Sequence, residues 1–77
     1  MPLINIRLIE NVFTSEQKQQ MARDLTEALV AIEGEHMRGV TWCVIEEVKS
    51  GDWAVGGQPV TTEAVHALAR GDLSLPV

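Results

Sequence analysis

"VTWCVIEEV", residues 40–48, is the stretch on which the fold turns. It is rich in β-branched and aromatic side chains, which suit a pleated backbone, and so predicts a strand. Neighbouring residues of a strand point to opposite faces. Trp42 and Val44 therefore fall on one side, Cys43 and Ile45 on the other, and the middle of the strand is apolar on both. Such a strand needs cover on two sides, the pattern of a β-α-β unit whose crossover helix makes its strands parallel and right-handed. Glu46 and Glu47 adjoin, point opposite ways and make no paired-carboxylate site.

The crossover helix is legible upstream. In "TSEQ", Thr14 can act as N-cap with Gln17 three residues later, a capping box that satisfies otherwise unpaired amides. Met21, Leu25, Ala28, Leu29 and Ile32 recur at helical spacing as an apolar stripe, with charged residues around the other faces. Arg23 and Glu27 read as a surface pair. Gly34 can supply the left-handed conformation that ends the helix, which then spans roughly Ser15 to Glu33, about 28 Å.

Before the helix lies "MPLINIRLIE", residues 1–10. Pro2, Ile4, Ile6 and Leu8 share one face of a strand over Leu3–Ile9, and Leu3, Asn5, Arg7 and Ile9 share the other. A two-stranded sheet with one helix cannot cover two apolar faces, so the second calls for a partner, and Arg7 on it reads as an intersubunit ion pair. Beyond the second strand, "KSGDWAVGGQP" marks a short hairpin, and Thr61 or Thr62 can cap a last helical segment through Val65 and Leu68 that ends near Gly71. The expected class is α+β: two parallel strands, a crossover helix and a short C-terminal hairpin and helix, oligomerising through the sheet. Residues 1–77 are expected to form one domain, with 2–60 its core and 61–77 a short helix and tail.

Composition limits the function. A chain of 77 residues buries about 60 % of its unfolded surface, and small domains compensate with disulfides, metals or oligomerisation. Cys43 is the single cysteine and reads as a core residue of a reducing compartment, while His36 and His66 lack a second ligand at metal-type spacing. No metal or cofactor is expected; oligomerisation remains. A net charge of −5, from 6 basic and 11 acidic residues, argues against nucleic acid, which needs a basic patch. No apolar run approaches the ~20 residues of a membrane span, and no signal peptide is evident; the expected location is the cytoplasm, with no membrane partner.

"MPLINIRLIE", "TSEQKQQMARDLTEAL", "VTWCVIEEV" and "DWAVGG", in this order and spacing, resemble the 4-oxalocrotonate tautomerase family of the tautomerase superfamily over residues 2 to 60. The resemblance implies β-α-β subunits that pair into dimers or trimers of dimers. It also implies cofactor-independent chemistry in which Pro2, freed by removal of Met1, is the general base for keto-enol proton transfer on a small unsaturated 2-hydroxy or 2-oxo acid. A secondary amine is ordinarily cationic at neutral pH, but apolar surroundings and nearby positive charge favour its neutral, basic form.

The family's two substrate-binding arginines are not matched: the loop position falls on Val12 or Phe13 and the strand position on Thr41 or Trp42. The substrate side is therefore assigned to Arg38, the nearest cation to the strand position, to Thr41, and to Trp53, which matches the family's aromatic pocket residue. Trp42 reads as core or interface packing. The missing arginines keep open a dehalogenase or decarboxylase that uses the same proline, and a non-catalytic oligomeric or acid-binding member. A retained Met1 would favour the last, because Pro2 would then hold a non-basic imide nitrogen.

Overall fold

The computed structural model describes residues 1–72; the end of the tail, 73–77, lies outside the described residues. In chain order the elements are strand β1 (Leu3–Ile9), helix α1 (Ser15–Glu33), a 3-10 turn (Glu35–Val40), strand β2 (Trp42–Val48), strands β3 (Trp53–Val55) and β4 (Gln58–Val60), and helix α2 (Thr62–Ala69). β1 pairs with β2 in one sheet and β3 with β4 in another. β1 and β2 are parallel: the Trp42 N–H donates to the Pro2 carbonyl at 3.0 Å, and the Glu10 N–H to the Val48 carbonyl at 2.8 Å. The architecture is the expected α+β one, a β-α-β unit followed by an antiparallel hairpin and a short helix. The chain divides into two compact units, one of Met1–Ile6 with Phe13–Glu46, the other of Arg7–Val12 with the chain from Glu47 onward.

In the first unit, α1 begins and ends where the sequence predicts. Gln17 N–H donates to Thr14 Oγ1 at 3.1 Å and Thr14 N–H to Gln17 Oε1 at 2.9 Å, so each residue satisfies the other's amide. Thr14→Ala removes one half of that exchange and is expected to cost about 0.5–2 kcal/mol, read as a lower urea midpoint with an unchanged denaturant slope. At the far end Gly34 has the positive φ expected of it, 103°, but its ψ of 153° is extended rather than left-handed helical. Only glycine adopts that region readily, and the Gly34 N–H still closes the helix on the Val30 carbonyl at 2.8 Å.

The apolar stripe of α1 differs from the one read in the sequence. Met21 and Leu29 are half-buried as expected, but Leu25 and Ala28 are exposed and Ile32 is 84 % exposed, while Ala22, Thr26 and Val30 turn inward. The helix is thus apolar on two sides, and one of them is open. Arg23 does not pair with Glu27 either: its Nη2 donates to Gln20 Oε1 at 2.8 Å.

β2 starts at Trp42 because Val40 belongs to the 3-10 turn, which closes with Thr41 N–H on the Arg38 carbonyl at 3.2 Å. Burial alternates along both strands. Ile4, Ile6, Cys43 and Ile45 are half-buried, whereas Leu3 (58 %), Trp42 (54 %) and Val44 are exposed. Asn5 Nδ2 donates to Glu46 Oε1 at 2.6 Å across this open face.

In the second unit, Trp53 pairs with Val60 and Val55 with Gln58. Gly56 (φ 58°) and Gly57 (φ 81°) form the intervening turn, and two consecutive positive φ values are what a tight hairpin needs. Thr61 is the N-cap of α2, accepting from Ala64 N–H at 3.1 Å. The buried Thr62 then donates its hydroxyl to the Glu10 carbonyl at 2.7 Å and its N–H to Ser50 Oγ at 2.9 Å. His66 Nε2 lies 2.9 Å from the carbonyl of Asn11. A carbonyl only accepts, so Nε2 carries the proton.

Candidate active site

Pro2 is half-buried at the head of β1, its carbonyl bound by the Trp42 N–H. That hydrogen bond brings Thr41 and Trp42, the alternatives for the lost strand arginine, alongside Pro2 in the parallel ladder. The half-buried Thr41 hydroxyl is already engaged, with Glu33 Oε2 at 2.5 Å and the Met37 carbonyl at 2.8 Å within reach of its single proton.

Arg38 lies in the 3-10 turn, and its guanidinium is occupied. Nη1 and Nη2 donate to the two carboxylate oxygens of Glu27 at 2.6 and 3.1 Å, while Nε and Nη2 donate to those of Glu35 at 3.0 Å each. These bonds use four of the five N–H groups of a guanidinium. The hydrogen bond from Arg38, and then its charge, hold the Glu27 carboxyl below the usual carboxylate range. Hydrogen bonds to Glu27 and Glu35 push Arg38 further up. Both partners are solvent-exposed, so screening keeps the effect small. A concavity of about 580 Å³ next to this cluster is lined by Ala22, Arg23, Asp24, Thr26, Glu27 and Arg38.

Trp53 opens β3 in the second unit and is 37 % exposed. With Arg7, Val48, Asp52 and Ala54 it lines an open concavity of about 400 Å³. Sequence spacing gave no sign of this meeting, because Arg7 and Trp53 come from strands in different sheets. Among the described residues no group of three or more His, Cys, Asp or Glu side chains could hold a metal ion, and no helix is long and apolar enough to cross a membrane.

Comparison with known proteins agrees with the fold. A family model described as "Tautomerase enzyme" matches residues 2–63. The chain is 38 % identical over 67 residues to "Probable tautomerase K2" of Dickeya dadantii (strain 3937), covering 87 % of this chain and 98 % of that one. Among solved structures, DmpI from Helicobacter pylori superposes with a TM-score of 0.66 at 31 % identity, covering 77 % of this chain and 95 % of its own. The heterohexamer 4-oxalocrotonate tautomerase from Chloroflexus aurantiacus J-10-fl gives 0.67 at 30 % identity, covering 82 % and 95 %. A match over most of the chain by pattern, sequence and fold together has one reading: this chain belongs to the tautomerase family.

Proposed function

We propose that the chain is a cofactor-independent tautomerase that uses the amine of Pro2, freed by removal of Met1, to move a proton within a small unsaturated 2-hydroxy or 2-oxo acid. The observation that carries this reading is Pro2 at the head of the apolar strand β1, at the first residue of the family match. In the proposed step the neutral ring nitrogen takes the enol O–H proton. The electron pair moves through the conjugated system to carbon, and the ring N–H returns the proton there. Atoms and charge balance with no co-reactant. An apolar environment around such an amine would disfavour its ammonium form and leave it a base.

Thr41 and Trp53 are proposed substrate contacts, and Arg38 a third if a substrate carboxylate displaces Glu35 or Glu27. The test combines intact mass with turnover of a panel of carboxylated enols on the same sample. Chains that have lost Met1 and ketonise enol acids support the reading; processed chains inert to the whole panel count against it. Val12, Phe13, Thr41 and Trp42 at the two arginine positions, with Arg38 tied to two glutamates, favour a second reading. It is an acid-binding family member that is not catalytic or that uses Pro2 for dehalogenation or decarboxylation.

We also propose that the chain forms homo-oligomers, as dimers or trimers of dimers, through the open face carrying Leu3, Trp42 and Val44. The tautomerase relative described as a heterohexamer supports an assembly of this kind. Val44→Asp puts an unpaired charge on that face and is expected to shift the native mass to the single subunit, read by light scattering behind size exclusion.

A further inference from the structure

We infer that Glu33 is a positioning residue for Pro2: it takes the proton of the Thr41 hydroxyl and so leaves Thr41 Oγ1 as an acceptor for the N–H of the free proline amine. The register brings these groups together. The bond from the Trp42 N–H to the Pro2 carbonyl sets Trp42 opposite Leu3 in the parallel ladder, so Thr41, itself extended at φ −92° and ψ 113°, stands opposite Pro2. Paired segments lie about 4.8 Å apart. Both residues are on the half-buried side of the sheet, Pro2 in line with Ile4 and Thr41 in line with Cys43. The bond between Thr41 and Glu33, the last residue of α1, marks that side as the one facing the helix and not the open face of Leu3, Trp42 and Val44. All three residues belong to the first compact unit.

A threonine hydroxyl has one proton to give. Here it has two acceptors, Glu33 Oε2 at 2.5 Å and the Met37 carbonyl at 2.8 Å, and the carboxylate, being charged and closer, is the stronger claimant. A hydroxyl that donates to an anion becomes a better acceptor at its own oxygen. Thr41 thus offers Pro2 a lone pair and no proton. A neutral proline amine has one N–H and one lone pair on a nitrogen that inverts freely. An acceptor on one side holds the N–H there and turns the lone pair toward the substrate. Once the nitrogen has taken the enol proton it carries two N–H bonds, of which one stays on Thr41 and the other is returned to carbon. The charged amine donates the stronger hydrogen bond, so the arrangement offsets desolvation and keeps the nitrogen basic. Any contact of Thr41 with the substrate is likewise as an acceptor, from the enol O–H.

This inference deepens the proposed function and rests on it for the reaction, though not for the state of the amine. The test is the pKa of the Pro2 amine in full-length chains freed of Met1 by methionine aminopeptidase, read from the Pro2 Cδ shift by NMR across pH with no substrate. Thr41→Val keeps the shape and removes the acceptor. Losing the acceptor disfavours the ammonium, so the proton leaves at lower pH; a fall of about one unit or more is expected, the size set by one hydrogen bond to a charged group. Thr41→Ser keeps the hydroxyl and should keep the wild-type value. Glu33→Gln should give a smaller fall, and one that shrinks to less than half when Thr41 is already replaced by Val. The other ionisable side chains at the start of β2, in the 3-10 turn and in the last two turns of α1 are Cys43, Glu35, His36, Arg38 and Glu27, and none of them changes in these variants.

A wild-type pKa in Thr41→Val overturns the inference. So does a Glu33→Gln effect of equal size with and without the hydroxyl, which would make Glu33 a distant charge and nothing more. Should Thr41→Val not fold, Glu33→Gln in high salt decides, because salt screens a distant charge far more than a hydrogen bond. A fall that persists at about 1 M salt supports the role of Glu33; a fall that salt erases, or a wild-type value, overturns it. The two proposals also fail separately. An amine whose pKa follows Thr41 and Glu33 in chains that turn over no enol acid removes the proposed reaction and leaves the arrangement. Turnover with a pKa indifferent to both residues does the reverse.

Discussion

Pro2→Ala in fully processed chains is expected to lower kcat for enol-acid turnover by about 10²–10⁴-fold, the range over which a positioned acid-base group contributes. Substrate affinity should change far less, because the ring nitrogen acts on the proton in flight and not on the carboxylate. The variant keeps a terminal amine, so some activity survives; what is lost is the ring, which holds the nitrogen in one geometry at the head of β1. In the wild-type chain the neutral amine is the active form, so kcat/KM should rise with pH through the amine's pKa and fall below it as the nitrogen becomes protonated. Stopped assays across that limb, on material whose mass shows Met1 gone, measure both effects. Wild-type kcat in the processed Pro2→Ala chain would sink the base assignment.

The second large effect concerns stability. Ile9, at the end of β1, is 8 % exposed and is one of three buried apolar residues among those described, with Val30 and Val60. Ile9→Ala removes buried methyl groups and leaves a void, a change that costs about 2–5 kcal/mol. Set against a total of roughly 5–15 kcal/mol for a folded domain, that is a large share of what holds the chain. The midpoint should fall by roughly 4–8 °C for each kcal/mol, measured by calorimetry at one fixed protein concentration, since the proposed assembly would make the midpoint depend on concentration. Ile32→Ala, from a position 84 % exposed in the subunit, is the control. It should cost within about 0.5 kcal/mol if α1 is open to water in solution, and several times that if another copy covers it.

The strands, the helix, its capping box and the glycine hairpin were legible because each is written in local chemistry. Alternation, Thr14 with Gln17, and Gly56 with Gly57 need no information from elsewhere in the chain. The orientation of α1 was not legible. Its sequence carries an apolar stripe through Leu25 and Ile32 and a second inward side through Ala22, Thr26 and Val30. Periodicity cannot rank the two when a helix has more than one surface to cover.

The site was read unevenly for a similar reason. Pro2 and Trp53 stand out by position, whereas the engagement of Arg38 depends on Glu27, eleven residues earlier on α1. The meeting of Arg7 with Trp53 depends on a hairpin folding back, and no spacing rule encodes it. Thr41 stands beside a lost arginine position in the sequence; only the folded chain reveals that its hydroxyl already has two acceptors.

Among the described residues the sheet of β1 and β2 has two strands, so each has one lateral edge without a described neighbour in that sheet. A bare edge is a template for strand addition, and its backbone groups recognise any extended chain regardless of side chains. In the proposed assembly a newly made subunit would therefore be most vulnerable in the interval before it finds another copy. Under that proposal its solubility during synthesis would become a race between correct docking and indiscriminate edge-to-edge growth, decided by how fast copies meet.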